Sequence, residues 1–292
     1  MAEKALVIGS GFLGSHIIDI LKNSGINTVG THFNLNNDEI MKVDVRNINS
    51  INDCVAKIKP DLIINCAAIT QLDFLEKNPQ LASSVNADGA KNVATVSKRN
   101  KIRLAHISTD GIFDGKRGMY SEEDIPNPIN VYAKSKAEGE KLVREISDDY
   151  VIIRTNFYGF DKNGRFLFNW ILNMLKQHKQ IIGFSDVIFA PLEVSNLGEM
   201  IKEISMKSYC GIIHLASDEI LSKYQFALQI AEIFELNKDL IKEGSVDDYK
   251  DFVAKRPKNT SLINKKAKQL MKTQIISLSE WLMTMKSKTE VV

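Results

Sequence analysis

Ala5-Leu6-Val7-Ile8-Gly9-Ser10-Gly11-Phe12-Leu13-Gly14 decides the fold of this chain. An apolar run suited to a buried parallel strand leads into GxGxxG. Ser15 to Lys22 comes next, with Ile17, Ile18 and Leu21 at helical spacing. Each glycine has its own task. Gly9 permits the tight turn, Gly11 lets the backbone approach a pyrophosphate, and Gly14 allows close contact of helix and strand. Unpaired N–H groups at the positive end of the helix then hold the phosphates. Gly9, Ser10, Gly11, Phe12, Leu13 and Gly14 are therefore candidate cofactor contacts. The plain alternative, a strand–turn–helix that binds nothing, loses weight because strand, glycines and helix occur in the required order.

Outward from this stretch the first half alternates strands and helices. Strands are predicted at Ala5–Ile8, Asn27–Gly30, Leu62–Asn65, Arg103–Ser108 and Val151–Arg154. They are short, apolar and rich in β-branched residues, as strands covered on both faces are. Helices are predicted at Ser50–Lys59, Ala82–Asn100 and Asn130–Ile146. This rhythm implies an α/β fold with a parallel, doubly wound sheet. Ligands of such sheets bind beyond the carboxyl ends of the strands. Gly9, Cys66-Ala67-Ala68, Ser108-Thr109 and Arg154-Thr155 all follow strand ends and should converge there. After residue 155 the pattern becomes α+β, with helices at Phe166–Gln177, Ser222–Glu235 and Leu278–Lys286 and short strands at Gln180–Gly183 and Gly211–Leu215. The expected division is a nucleotide-binding part, residues 1–155, and a smaller part, residues 156–292, sharing a core with the first.

Tyr132 and Lys136 carry the chemistry. Four residues apart on a helix, they project from one face. A free phenol titrates near pH ~10, and a nearby ammonium is expected to bring that value down. A hydroxyl from Ser108 or Thr109 would complete a proton-handling site. Lys134, two residues from Tyr132, points elsewhere. YxxxK alone reads as an ordinary helix, and it gains meaning from the glycine-rich turn upstream.

The 292 residues have a net charge of +2, so nucleic acid and anionic membranes lack an electrostatic hold. No apolar run has the length of a membrane span, and no signal peptide pattern is present. Cys54, Cys66 and Cys210 read as reduced, buried residues of a cytoplasmic protein, and the scattered histidines predict no metal site.

These motifs, in order, resemble the extended short-chain dehydrogenases/reductases, and within them the dTDP-4-dehydrorhamnose reductase family. The resemblance runs through GSGFLG, Asp44-Val45, Asn65-Cys66-Ala67-Ala68-Ile69-Thr70-Gln71-Leu72-Asp73, Ser108-Thr109-Asp110-Gly111-Ile112-Phe113-Asp114-Gly115 and Tyr120-Ser121-Glu122-Glu123-Asp124. It continues with Pro126-Asn127-Pro128, the Tyr132–Lys136 helix, Arg154-Thr155-Asn156-Phe157-Tyr158-Gly159 and Arg256-Pro257-Lys258-Asn259. It implies a Rossmann-type sheet with a C-terminal substrate-binding region and NAD(P)H-dependent reduction of a nucleotide-linked 4-keto-6-deoxy sugar. Tyr132 would be the general acid, Lys136 the ribose contact, and Thr109 the group that orients the carbonyl. Asp44 and Val45 would meet the adenine, and Cys66, Ala67 and Ala68 would line the cofactor groove. Thr70, Leu72, Asp110 and Phe157 would lie on the sugar side, and Arg256 would meet the nucleotide diphosphate. The sequence does not fix the oligomer; relatives often pair through the helices containing Lys91–Asn100 and Tyr132–Arg144, which makes a homodimer one option. The chain departs from the family at Gly111, Phe157 and Val187-Ile188-Phe189-Ala190-Pro191, all on the sugar side.

For Phe157 a core role stands equal with a sugar platform. For Arg256 the alternative is an ion pair, and for Asp110 a turn-forming role. Asn86 is expected to tie a helix to the sheet. No carboxylate follows the second strand, where Gly30-Thr31-His32-Phe33-Asn34 stands, and no arginine is present in that segment. Thr31 and His32 are candidate donors to a 2′-phosphate, so NADPH is expected, with NADH as the alternative. Two rivals share the motifs: a nucleotide-sugar epimerase or dehydratase that retains NAD, and a non-catalytic regulatory protein like that of methionine adenosyltransferase.

Overall fold

The computed structural model describes residues 3–34, 40–161, 164 and 166–289. Strands β1 (Lys4–Ile8), β2 (Asn27–His32), β3 (Ile40–Lys42), β4 (Leu62–Asn65), β5 (Arg103–Ile107) and β6 (Tyr150–Thr155) form a parallel sheet in the order 3-2-1-4-5-6. The chain reverses direction across the sheet between β1 and β4, where Ile8 is paired with both Thr31 and Asn65. A crevice at that switch point is the binding position of such sheets. β3 is too short to show periodicity, and it has no counterpart among the expected strands.

A further edge strand, Gly211–Leu215, pairs in parallel with β6. The sequence pattern assigns it to the C-terminal part, yet it belongs to the central sheet. Helix Val194–Ser205 accompanies it and packs against helix Phe12–Asn23. Their apolar faces share one core: Ile17 and Leu21 from the first helix, Leu197, Ile201 and Ile204 from the second, and Val7, Ile64 and Ile153 from the sheet. Helices Ile48–Ile58, Gly89–Arg99 and Val131–Ile146 cover the opposite face. The expected Ala82–Asn100 helix is segmented, with a π-helical turn at Ser83–Asp88 preceding Gly89–Arg99.

A third core lies outside the sheet. Helices Leu167–Lys176, Lys223–Ile233 and Leu278–Thr289 enclose Phe168, Phe189, Phe226 and Trp281. Cys54 is buried, Cys66 half-buried and Cys210 exposed, so the expectation of three buried thiols fails at Cys210. Among the described residues, no helix is long and apolar enough to cross a membrane, and no cluster of ligand-type side chains has metal geometry.

Candidate active site

The glycine-rich turn has the shape its sequence requires. Gly9 has φ +93°, and a Cβ there would lie 2.8 Å from the Ala67 amide nitrogen. At Gly14 a Cβ would come within 2.0 Å of the Gly9 carbonyl oxygen, so only hydrogen allows the helix to sit this close. Gly11 differs: a Cβ there would meet nothing within 4 Å. No side chain caps the N-terminus of helix Phe12–Asn23, and the Ser10 hydroxyl is buried without a protein partner. Open space, uncapped amides and an orphaned donor fit a dinucleotide diphosphate. Leu13 is buried in the core, so only its backbone serves this turn. Phe12 stacks on Phe166 at 4.2 Å and approaches Phe157 at 6.2 Å.

At the end of β2 two expectations change. Thr31 is 1% exposed, and its hydroxyl accepts from the Gly9 N–H, so it faces the turn and not a 2′-phosphate. His32 does border the surface, and its Nδ1 accepts from the Asn34 amide, which leaves Nε2–H as a donor. An arginine is present after all. Arg46, from the segment after β3, lies over the Phe33 ring at 5.1 Å and pairs with Asp44 at 2.7 Å. The Arg46 hydrogen bond holds the Asp44 carboxyl below its ordinary value. The sequence hides this residue because it is remote from β2 in the chain. Val45 is buried in the core.

Cys66, Ala67 and Ala68 continue β4 along the groove floor and are half-buried. Asn86 secures the next residue of this segment. Its Oδ1 accepts from the Ile69 N–H, and its Nδ2 donates to the Ile69 carbonyl and to Ser135 Oγ. The amide thus joins the β4 exit to the Tyr132–Lys136 helix. Beyond it Thr70 is exposed and Leu72 half-buried.

Helix Val131–Ile146 begins where Asn130 Oδ1 accepts from the Ala133 amide. Tyr132 is therefore in the first turn, half-buried and within hydrogen-bonding reach of Thr109. Lys136 is 3% exposed, and its ammonium donates to the Ile107 carbonyl at 2.6 Å. Burial pulls the Lys136 pKa down to about 8, against the opposing pull of Glu140. Lys134 is exposed. The expected acidification of the phenol is not found. Burial pushes Tyr132 up to about 12, the Thr109 hydrogen bond only moderates this, and the Asp110 carboxylate adds to the rise. The ammonium is committed to a backbone carbonyl instead.

Thr109 Oγ1 accepts from the Gly111 N–H and donates to Asp110 Oδ1 at 3.1 Å. Asp110 is no simple turn residue. It is buried, and its Oδ2 accepts from Asn156 Nδ2 at 2.9 Å and from the Thr260 hydroxyl at 2.6 Å. Burial raises its carboxyl above the ordinary value. Phe157 is half-buried against the main core and near Phe12, contacts that fit the core alternative. Arg256 donates to Asp73 Oδ2 at 2.8 Å and lies over Phe252 at 4.2 Å. The ion-pair alternative describes its contacts.

A buried support lies behind Lys136. Arg154 forms a bidentate pair with Glu140, both almost fully buried. His214 Nδ1 donates to the Tyr120 carbonyl, and Nε2 faces Arg154 Nη1 at 3.4 Å. Burial and the neighbouring guanidinium hold His214 down to about 3, so it stays neutral.

Residues 3–290 match the RmlD substrate binding domain family. A dTDP-4-dehydrorhamnose reductase of Aggregatibacter actinomycetemcomitans is 30% identical, with 98% of each chain covered. The crystal structure of a dTDP-4-dehydrorhamnose reductase from Bacillus anthracis in complex with NADP superposes with a TM-score of 0.89 at 30% identity, covering 99% of this chain and 100% of that one. The beta subunit of bovine methionine adenosyltransferase 2 is 28% identical over 89% of this chain and 80% of its own. Full-length agreement in sequence and in backbone path means that the chain belongs to the RmlD substrate binding domain family, with the dTDP-4-dehydrorhamnose reductases among its relatives.

Proposed function

We propose that the protein is an NAD(P)H-dependent reductase of a nucleotide-linked 4-keto-6-deoxy sugar. What supports this reading is Tyr132 within reach of Thr109, Lys136 buried one helical turn on, and a glycine-rich turn left open for a diphosphate. A reduced nicotinamide supplies a hydride to a keto carbon when bound. The chain's own residues do the rest. Tyr132, neutral at physiological pH, holds the proton that the developing alkoxide takes up. Thr109 orients that oxygen by hydrogen bond. Lys136 contacts the ribose and keeps the site positive.

Arg46 and His32 at the end of β2 favour NADPH over NADH, in agreement with the NADP-bound relative. Thr70, Leu72, Asp110 and Phe157 are assigned to the sugar side, and residues 156–292, which supply Phe157, mainly to substrate binding. Spectrophotometric screening of NADPH oxidation against a panel of keto-deoxy nucleotide sugars tests this directly. Stoichiometric oxidation with one of them is the expected result. Turnover that leaves the cofactor unconsumed would replace the reductase by an epimerase or dehydratase. The bovine relative motivates a second reading, a regulatory subunit, and that one predicts no turnover and stable co-purification with a synthetase.

A pH dependence arises from Lys136. Its folded value, about 8, lies below the ordinary 10.5, so the ammonium is present below that pH and is lost as pH rises through it. NADPH affinity should stay level to pH ~8 and then weaken, by up to about tenfold per unit. Fluorescence titration between pH 6 and 10 reads this, and a flat profile would remove Lys136 from the ribose contact.

A further inference from the structure

Lys223 is an unusual residue for its place. It is the first residue of helix Lys223–Ile233, where a cation opposes the helix dipole. It is half-buried, and its ammonium sits 3.3 Å from the centroid of the Phe189 ring. Burial drives its pKa down to about 7. Dipole and desolvation both act against the charged form, while the ring and a carboxylate favour it. That carboxylate is Asp110.

The surrounding backbone holds this arrangement firmly. Strand Leu221–Ser222 pairs antiparallel with Ile188–Phe189, and the Lys223 amide donates to the Val187 carbonyl. Ser222 and Gln225 close a capping box at the helix start. Ile188 also bonds the segment that supplies Thr260: its amide donates to the Lys258 carbonyl, and the Thr260 amide donates to its own. Thr260, which bonds Asp110, is thus fixed to the same backbone unit that holds Phe189 and Lys223.

The groups that face Asp110 come from every element packed on it. Thr109, Asn156 and Thr260 meet it by hydrogen bond, and Lys223 acts through space. In the other direction the Asp110 charge raises the Tyr132 phenol. An uncompensated carboxylate would also oppose the negative charge that develops on the reduced oxygen.

We propose that Lys223 is a positioning residue for the reduction, the counter-ion that offsets the Asp110 carboxylate beside Thr109 and Tyr132. The proposal rests on the reductase reading above. Its charge allows Asp110 to stay ionised as the acceptor for Thr109, and it lowers the cost of an oxyanion held by Thr109. It touches neither the cofactor turn nor the reacting atoms.

The test compares Lys223→Met and Lys223→Arg in the full chain. One readout needs no substrate: carbon NMR titration of the Asp110 carboxyl in isotopically labelled protein, assigned with Asp110→Asn. Lys223→Met should raise the pH at which Asp110 titrates, and Lys223→Arg should restore it. The second readout is turnover on the sugar found by the NADPH screen. Lys223→Met should lower kcat by about 10- to 100-fold with NADPH affinity unchanged, and Lys223→Arg should recover most of the loss. In the wild type kcat should fall as pH rises through neutrality, and in Lys223→Arg that limb should move to higher pH. An Asp110 titration unaltered in Lys223→Met overturns the pairing. A shifted titration with wild-type kcat overturns the role in the reaction, as does a folded Lys223→Arg that recovers nothing. If the wild type reduces no keto sugar, the reductase reading fails, while the NMR arm still decides whether Lys223 is the Asp110 counter-ion.

Discussion

Replacing Tyr132 by Phe should cut turnover by about 10²- to 10⁴-fold, the range that a positioned proton donor supplies. NADPH should bind as before. The phenol titrates at about 12, so it is fully protonated at neutral pH and has a proton to give. Tyr132 is not fully buried, which lets a carbonyl oxygen reach it. The substitution removes a single oxygen and leaves the ring in place. Thr109 keeps the Gly111 N–H and the Asp110 carboxylate, and Lys136 keeps the Ile107 carbonyl. The cofactor groove therefore loses no partner. Single-turnover NADPH oxidation, alongside a fluorescence titration of the cofactor, separates the two effects. A variant with near-normal kcat would take Tyr132 out of the mechanism.

Glu140→Ala should be the most destabilising substitution in the site's support, costing about 3–5 kcal/mol. Arg154 is 1% exposed and depends on this carboxylate for its bidentate bonds. Its other polar neighbour, His214, is neutral and offers one lone pair. Removing Glu140 strands a buried guanidinium, a larger penalty than the loss of any exposed pair. Lys136 is one helical turn away and also loses the charge that sustains its ammonium, so its pKa should drop further. Glu140→Gln, which keeps an acceptor but no charge, should be intermediate. Denaturant unfolding measures both, and a loss below about 1 kcal/mol would mean that Arg154 finds water or another partner.

Much of this was legible in the residues because it is local. The glycine pattern needs only a short segment, and the placing of Tyr132 and Lys136 one turn apart needs only helical periodicity. Asn86 was legible as a tie because a polar amide inside an apolar helix face requires a partner. What the sequence hid depends on distant segments. Arg46 reaches Phe33 only because β3 pairs beside β2. Asp110 becomes a hub only when Asn156 and Thr260 arrive from the far side of the chain. The phenol moved opposite to expectation because burial raises it and the Lys136 ammonium, bonded to a backbone carbonyl, does not offset that, which spacing cannot reveal. Thr31 failed as a phosphate donor for a related reason, since strand alternation points it at the glycine turn.

Strand Gly211–Leu215 has a practical consequence for engineering. A fragment cut at residue 155 would leave β6 with an unpaired flank and strip helix Phe12–Asn23 of its apolar neighbour. Such a fragment should aggregate when expressed alone. Chimeras that exchange sugar preference between relatives must therefore graft surface loops, since no clean seam separates the halves.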